Sequence, residues 1–238
     1  MQDEHALQQT DTTIGIIGTG QVALNLARGL SRAGYSVVLG SRHPNDVMDR
    51  MERLPKNVMI KPQSEAVAAG SIVIIAVPFS SVRDTVIGIG PAKFRNKTVV
   101  DVTNAITRNL DLAIGFTTSG AEELSKMLPK TNVVKAFNTI FAEHMSTGVL
   151  HGTKLTMFAC GDDQKSRSEV IRLAQDIGFE AIDAGPLKAA RYLEPLGLLN
   201  ISLAFAQRMG TKIGFKLVTG ELGQPAVHQH PVRRTNAK

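Results

Sequence analysis

An α/β fold built on a doubly wound, mostly parallel sheet is predicted by three features of this 238-residue chain. Short β-branched runs alternate with helical apolar patterns from residue 13 onward. A glycine turn in Thr13-Ile-Gly-Ile-Ile-Gly-Thr-Gly-Gln-Val-Ala23 joins the first run to the first helical pattern. A second strand then ends, about twenty residues further on, in Gly40-Ser41-Arg42.

The elements follow in order. Strand 13–18 opens the sheet, and helix 21–33 follows it with Val22, Leu26 and Leu30 on one face beside Ala23 and Ala27. Further strands are expected at 36–40, 58–60, 71–77, 98–102, 133–136, 154–159 and 180–183, with helices at 45–54, 64–69, 81–88, 121–128, 141–146 and 163–177. Asp162-Asp163 reads as the cap of the last of these. Over 187–209, Leu187, Ala190, Leu193, Leu196, Leu199, Leu203 and Ala206 recur at helical spacing, and Leu198, Ile201 and Phe205 widen the apolar face. Pro195 is expected to kink this helix or to start a new one. Such a helix either packs on the sheet or meets a partner, and homodimerisation is the expectation.

The glycine turn has a chemical reading. Gly18 and Gly20 let the turn bend tightly and bring bare backbone against a pyrophosphate, while Ala23 allows close helix-on-strand packing. The phosphates would sit at the amide end of the helix starting near Gln21. An Asp or Glu at the end of the second strand would hold free ribose hydroxyls; here Ser41 and Arg42 suit a 2′-phosphate, with no carboxylate expected nearby. A Rossmann domain binding NADP(H) is the expectation.

In such sheets ligands lie at the carboxyl ends of the strands. The remaining exits are Val77-Pro78-Phe79-Ser80-Ser81, Thr103-Asn104-Ala105 and Phe137-Asn138-Thr139. Pro78 removes a ladder donor and holds Val77 extended. Asn104 and Asn138 either hydrogen-bond a ribose or carboxamide or make turns.

Composition bounds the rest. The net charge of +6 is diffuse, aromatics are 5%, and no basic face interleaves with aromatics, so nucleic acid is not an expected partner. Cys160 is the single cysteine, which excludes an internal disulfide, and it is expected to pack as a small hydrophobe. The first twelve residues lack the pattern of a secretory signal, and the longest apolar stretch, 195–206, falls short of a membrane span. A cytoplasmic protein is expected. No histidine has a spaced catalytic or metal-binding partner, so neither a catalytic dyad nor a metal site is expected. Hydride transfer between stacked cofactors needs no such dyad.

The exits Gly18-Thr-Gly20, Gly40-Ser41-Arg42, Ala76-Val-Pro78 and Lys135-Ala-Phe-Asn138 resemble the deazaflavin-dependent NADP oxidoreductases, as do Cys160-Gly-Asp-Asp163, Asp183-Ala-Gly-Pro-Leu187, Ala190-Arg191 and Leu193-Glu194-Pro195-Leu196. The chain is similar over residues 13–218 to that family and to the cytosolic NADPH and flavin domain of the STEAP metalloreductases. The resemblance implies pyrophosphate contacts from Thr19, Gly20, Gln21 and Val22, and a 2′-phosphate site at Ser41 and Arg42. Val77, Ser81 and Asn104 would flank the nicotinamide with Ala136 nearby, and Ile213-Gly214 would line the flavin-like partner. Where some members carry a Lys after the Ser-Arg pair, this chain reads His43-Pro-Asn-Asp46. The segment 137–142 looks like both branches, so the implied hydride partner is a deazaflavin or a flavin, FMN or FAD.

The expected organisation is a flexible leader (1–12), an NADP-binding Rossmann domain (13–140), a small carboxyl-terminal α/β appendage with the acceptor site and dimer surface (141–220), and a flexible tail (221–238). Two other functions compete: an NADPH-dependent dehydrogenase or reductase of a small metabolite, and a non-catalytic NADPH-sensing module. The first usually needs a larger helical domain than the residues left here supply.

Overall fold

The computed structural model describes residues 12–47, 54–107 and 109–220. The expected leader and tail, and most of the helix expected at 45–54, lie outside the described residues; residues 44–47 form a 3-10 turn.

Ten strands and six α-helices organise the described chain. In order they are β1 (Thr13–Ile17), α1 (Gln21–Arg32), β2 (Ser36–Ser41), β3 (Val58–Pro62), α2 (Gln63–Ala69), β4 (Ile72–Ile75), α3 (Phe79–Ile89), β5 (Thr98–Asp101), α4 (Gly120–Met127) and β6 (Asn132–Lys135). Then come β7 (Val149–Leu150), β8 (Thr153–Lys154), β9 (Thr156–Gly161), α5 (Gln164–Ile177), β10 (Glu180–Asp183) and α6 (Ala190–Phe205). Eight strands form one sheet in the order β10-β9-β6-β5-β4-β1-β2-β3. From β3 to β6 every neighbouring pair is parallel. The region expected as an appendage extends this same sheet: β9 joins β6 antiparallel, with Lys135 opposite Cys160, and β10 pairs parallel to β9.

Both faces of the sheet are covered, which explains why its strands read as unbroken apolar runs. On one face Ile14, Ile16, Val37, Leu39, Ile74, Val100 and Val134 pack with Leu26 and Leu30 of α1 and Val170 and Leu173 of α5. On the other, Ile17, Val38, Val73, Ile75, Val99 and Val133 pack under Val67 of α2, Val86 of α3, Leu124 of α4 and Leu193 of α6. Cys160 is fully buried here, and burial pushes its thiol up to about 12, so it packs as an inert hydrophobe.

Three expectations need correction. The helix expected at 141–146 is a single 3-10 turn, Ala142–His144. The strand expected at 154–159 is split: Lys154 belongs to a hairpin whose loop residues His151 and Gly152 both have positive φ, as a tight primed turn demands, and the sheet strand starts at Thr156. Finally, Pro195 does not start a new helix: it lies inside α6, which begins at Ala190. Its buried side is not purely apolar, for Glu194 and Asn200 are buried while Leu199 is 50% exposed. Asp163 does cap α5, accepting from the Ser166 amide at 2.8 Å. Among the described residues no helix is long and apolar enough to cross a membrane.

Candidate functional site

The strand order reverses direction between β1 and β4, and their carboxyl ends open a crevice. Gly18 has φ +127°, and a Cβ there would stand 2.3 Å from the Ala76 carbonyl oxygen, so the two strand exits touch through a position only glycine can fill. Gly20 differs. Its φ is ordinary, a Cβ would meet no protein atom within 4 Å, and it is the N-cap of α1 without a side-chain cap. The first amides of α1 therefore face an open cradle, a ready seat for an anion.

A cleft of about 290 Å³ over this cradle is lined by Gly18, Thr19, Gly20, Gly40, Ser41, Arg42, Gln63, Val77 and Pro78. Asp46 and His43 line it too, so a carboxylate does stand in the same cleft as Arg42, supplied by the 3-10 turn after β2 rather than by the strand end. Among the described residues no ion pair engages Arg42. Ser41 Oγ accepts from the His43 amide at 3.1 Å, which closes the turn that carries Arg42. A neighbouring cavity of about 460 Å³ continues past Ser41, Arg42 and Gln63 to Ser81.

On the other side of Gly20 lies a second cavity of about 460 Å³, sharing Gly20, Ala76, Val77 and Pro78 with the cleft. Gln21, Val22, Phe79, Val102, Thr103, Asn104 and Ile106 line it, and Ile201 of α6 closes one wall. Asn104 and Asn138 bond each other: Asn104 Nδ2 donates to the Asn138 carbonyl at 2.8 Å, and Asn138 Nδ2 donates to Asn104 Oδ1 at 2.9 Å. A Cβ on Gly197 would lie 2.4 Å from Asn104 Oδ1, so glycine at that turn of α6 is what lets the helix settle on this pair.

Beneath the cavity is a charged cluster that the sequence reading passed over. Lys135 is fully buried, with Nζ 2.9 Å from Asp101 Oδ2, 3.0 Å from Glu194 Oε1 and 2.5 Å from the Thr103 carbonyl. Burial alone would lower its pKa, but the charges of Asp101 and Glu194 and their hydrogen bonds outweigh that and hold it above the ordinary lysine value. Glu194 also accepts from the Gly120 and Ala121 amides at the start of α4, at 3.0 and 3.2 Å. A signal existed: Asp101 and Lys135 interrupt apolar runs at paired positions of adjacent strands.

The structure thus brings Gly18, Thr19, Gly20, Gln21, Val22, Ser41, Arg42, Val77, Pro78, Ser81 and Asn104 onto contiguous cavities. It does not bring Ala136, Asn138 or Ile213 onto them. Ala136 is fully buried, and Asn138 is buried with its amide also donated to the Leu193 carbonyl at 2.7 Å. The Ile213 segment lies along β9, where the Phe215 carbonyl accepts from the Thr156 amide and Gly214 packs on Leu155. Thr211 from that segment reaches a further cavity of about 310 Å³, which shares Gln21 with the second one.

The chain resembles known proteins in sequence and in fold. Residues 13–105 match the family profile described as NADP oxidoreductase coenzyme F420-dependent. The chain is 32% identical over 188 residues to metalloreductase STEAP3 of Rattus norvegicus, covering 78% of this chain and 37% of that protein, so it spans little over a third of that relative. It is 29% identical over 210 residues to the F420-dependent NADP reductase of Methanothermobacter marburgensis, covering 81% of this chain and 92% of the relative. A crystal structure from Arthrobacter sp. FB24, provisionally named an F420-dependent NADP reductase, superposes with a TM-score of 0.78 at 26% identity, covering 87% of this chain and 99% of the other. By sequence and by fold, the chain is a relative of both the F420-dependent NADP reductases and the STEAP metalloreductases.

Proposed function

We propose that the protein passes hydride between NADPH and a deazaflavin or flavin ring held over the nicotinamide. The observation that carries this reading is one continuous groove at the strand switch point, with an open helix N-terminus at its middle, Arg42 at one end and a largely apolar cavity at the other. The cradle fits the cofactor: Gly20 leaves room where a pyrophosphate would lie, and the buried Thr103 hydroxyl has no protein partner. When bound, the nicotinamide supplies or accepts the hydride.

The chain's own part is to hold and orient. The α1 amides and Gly20 seat the pyrophosphate, and Ser41 and Arg42 take the 2′-phosphate. Val77, Pro78 and Ile201 keep water from the ring, while the 310 Å³ cavity beside Gln21, with Thr211 from the carboxyl-terminal segment, offers the acceptor an adjoining seat. The expected setting is the cytoplasm. Tyr192 and Leu199, one helical face apart by seven residues and 73% and 50% exposed, are the surface through which a homodimer would form. Leu199→Glu should then elute as a monomer where the wild type elutes as a dimer.

Purified protein is mixed with NADPH and, in turn, FMN, FAD and the deazaflavin coenzyme, and NADPH absorbance is followed. Consumption with one acceptor is the expected result. Tight NADPH binding without turnover on any of them would overturn hydride transfer and favour the sensing module.

A further inference from the structure

Among the described residues, Thr103 Oγ1 is the one buried side-chain nitrogen or oxygen atom without a hydrogen-bond partner. Other buried hydroxyls of the sheet are satisfied: Thr98 Oγ1 donates to Ser166 Oγ at 2.9 Å, and Thr156 Oγ1 accepts from the Leu217 amide at 2.8 Å. An orphaned hydroxyl is costly where it sits and needs a reason.

Its surroundings supply one. Thr103 lines the 460 Å³ cavity beyond Gly20, and its backbone is clamped from both sides by ionised groups. Asp101 Oδ1 accepts from the Thr103 amide at 2.9 Å, and Lys135 Nζ donates to the Thr103 carbonyl at 2.5 Å. Lys135 is held in turn by Glu194, whose helix also carries Ile201 of the cavity lining. The neighbouring Asn104 has already spent one donor and one acceptor on Asn138. Thr103 is therefore a lining residue with a fixed backbone and a buried hydroxyl that no protein atom satisfies, the polar group this wall holds in reserve.

Resting on the functional reading above, we propose that Thr103 is a positioning residue whose hydroxyl hydrogen-bonds the amide substituent of a flat heteroaromatic ring in this cavity, the nicotinamide carboxamide. A threonine hydroxyl can donate to the carboxamide oxygen or accept from its nitrogen. Either bond fixes the rotation of the ring in its plane, and so which ring carbon faces the acceptor.

The test compares NADP⁺ with 2′-phospho-ADP-ribose, which lacks the nicotinamide, by titration calorimetry on wild type, Thr103→Val, Thr103→Ala and Thr103→Ser. The expected result is a roughly five- to tenfold loss of NADP⁺ affinity in the Val and Ala variants, the scale of one hydrogen bond. Affinity for 2′-phospho-ADP-ribose is unchanged, and Ser restores NADP⁺ binding. Without ligand, Thr103→Val melts no lower than wild type, because it removes an unsatisfied group, which a merely structural hydroxyl would not allow. Equal effects on both ligands, or no effect on either, overturn the assignment of Thr103 alone. Wild-type protein that binds neither ligand overturns the functional reading and this assignment with it.

Discussion

Lys135 of β6 and Glu194 of α6 form an ion pair with both side chains at most 1% exposed, Nζ to Oε1 at 3.0 Å, and this pair ties the helix that closes the cavity to the floor of the sheet. Asp101 completes the cluster from the next strand. Lys135→Met should leave two buried carboxylates uncompensated and cost about 3–5 kcal/mol. Urea unfolding measures it. A loss below about 1 kcal/mol would mean that water or relaxation reaches the site, and that the cluster does not hold α6 down.

Tyr35 donates to Asp176 Oδ2 at 2.5 Å, linking the start of β2 to α5. Burial, and then the Asp176 hydrogen bond, push its phenol up to about 12. The folded pKa is raised, so this contribution to stability is fully present below the unfolded tyrosine value of about 10 and is lost as pH rises from there through about 12. At neutral pH, Tyr35→Phe should cost about 1–2 kcal/mol, and the gap to wild type should close across that alkaline window. Unfolding curves at neutral and strongly alkaline pH check the sign; a gap that widens with pH contradicts it.

Gly18 and Gly20 should fail in different ways. At Gly18 even a methyl group meets the Ala76 carbonyl, and the φ is one that side chains resist, so Gly18→Ala should lower stability by about 2 kcal/mol or more. At Gly20 the protein leaves space, so Gly20→Val should melt near wild type yet lose NADPH binding. Melting curves with and without NADPH separate the two. A Gly20→Val protein with wild-type affinity would make the turn purely structural.

Arg42 and Asp46 line one cleft with opposite charges. Arg42→Ala should weaken NADPH binding by about 1.5–3 kcal/mol, the scale of hydrogen bonds to charged groups, and leave NADH nearly untouched. Asp46→Asn should move the other way, tightening NADPH by roughly two- to threefold because the exposed carboxylate is largely screened. Parallel titrations with both cofactors decide. Equal losses of NADPH and NADH on Arg42→Ala would remove the 2′-phosphate assignment.

Local chemistry made most of the scaffold legible before any coordinates. Periodicity placed β1, α1, β2, α5 and β10 to within a residue or two, because strands covered on both faces and amphipathic helices leave unmistakable patterns. Glycines at 18 and 20 and the Ser41-Arg42 strand end marked the phosphate half of the proposed site, since those demands act on the backbone itself or on the residue next to it. What tertiary structure alone decided depends on partners distant in sequence. The cluster of Lys135, Asp101 and Glu194 joins residues from two strands and a helix, which is why Glu194 turned to the buried side of α6 against its apolar pattern. Asp46 entered the Arg42 cleft through a turn, and Asn138 went to Asn104 and the Leu193 carbonyl. Thr103 stood in view at the end of β5, but a hydroxyl becomes conspicuous only when every other atom has been placed and it alone is left without a partner.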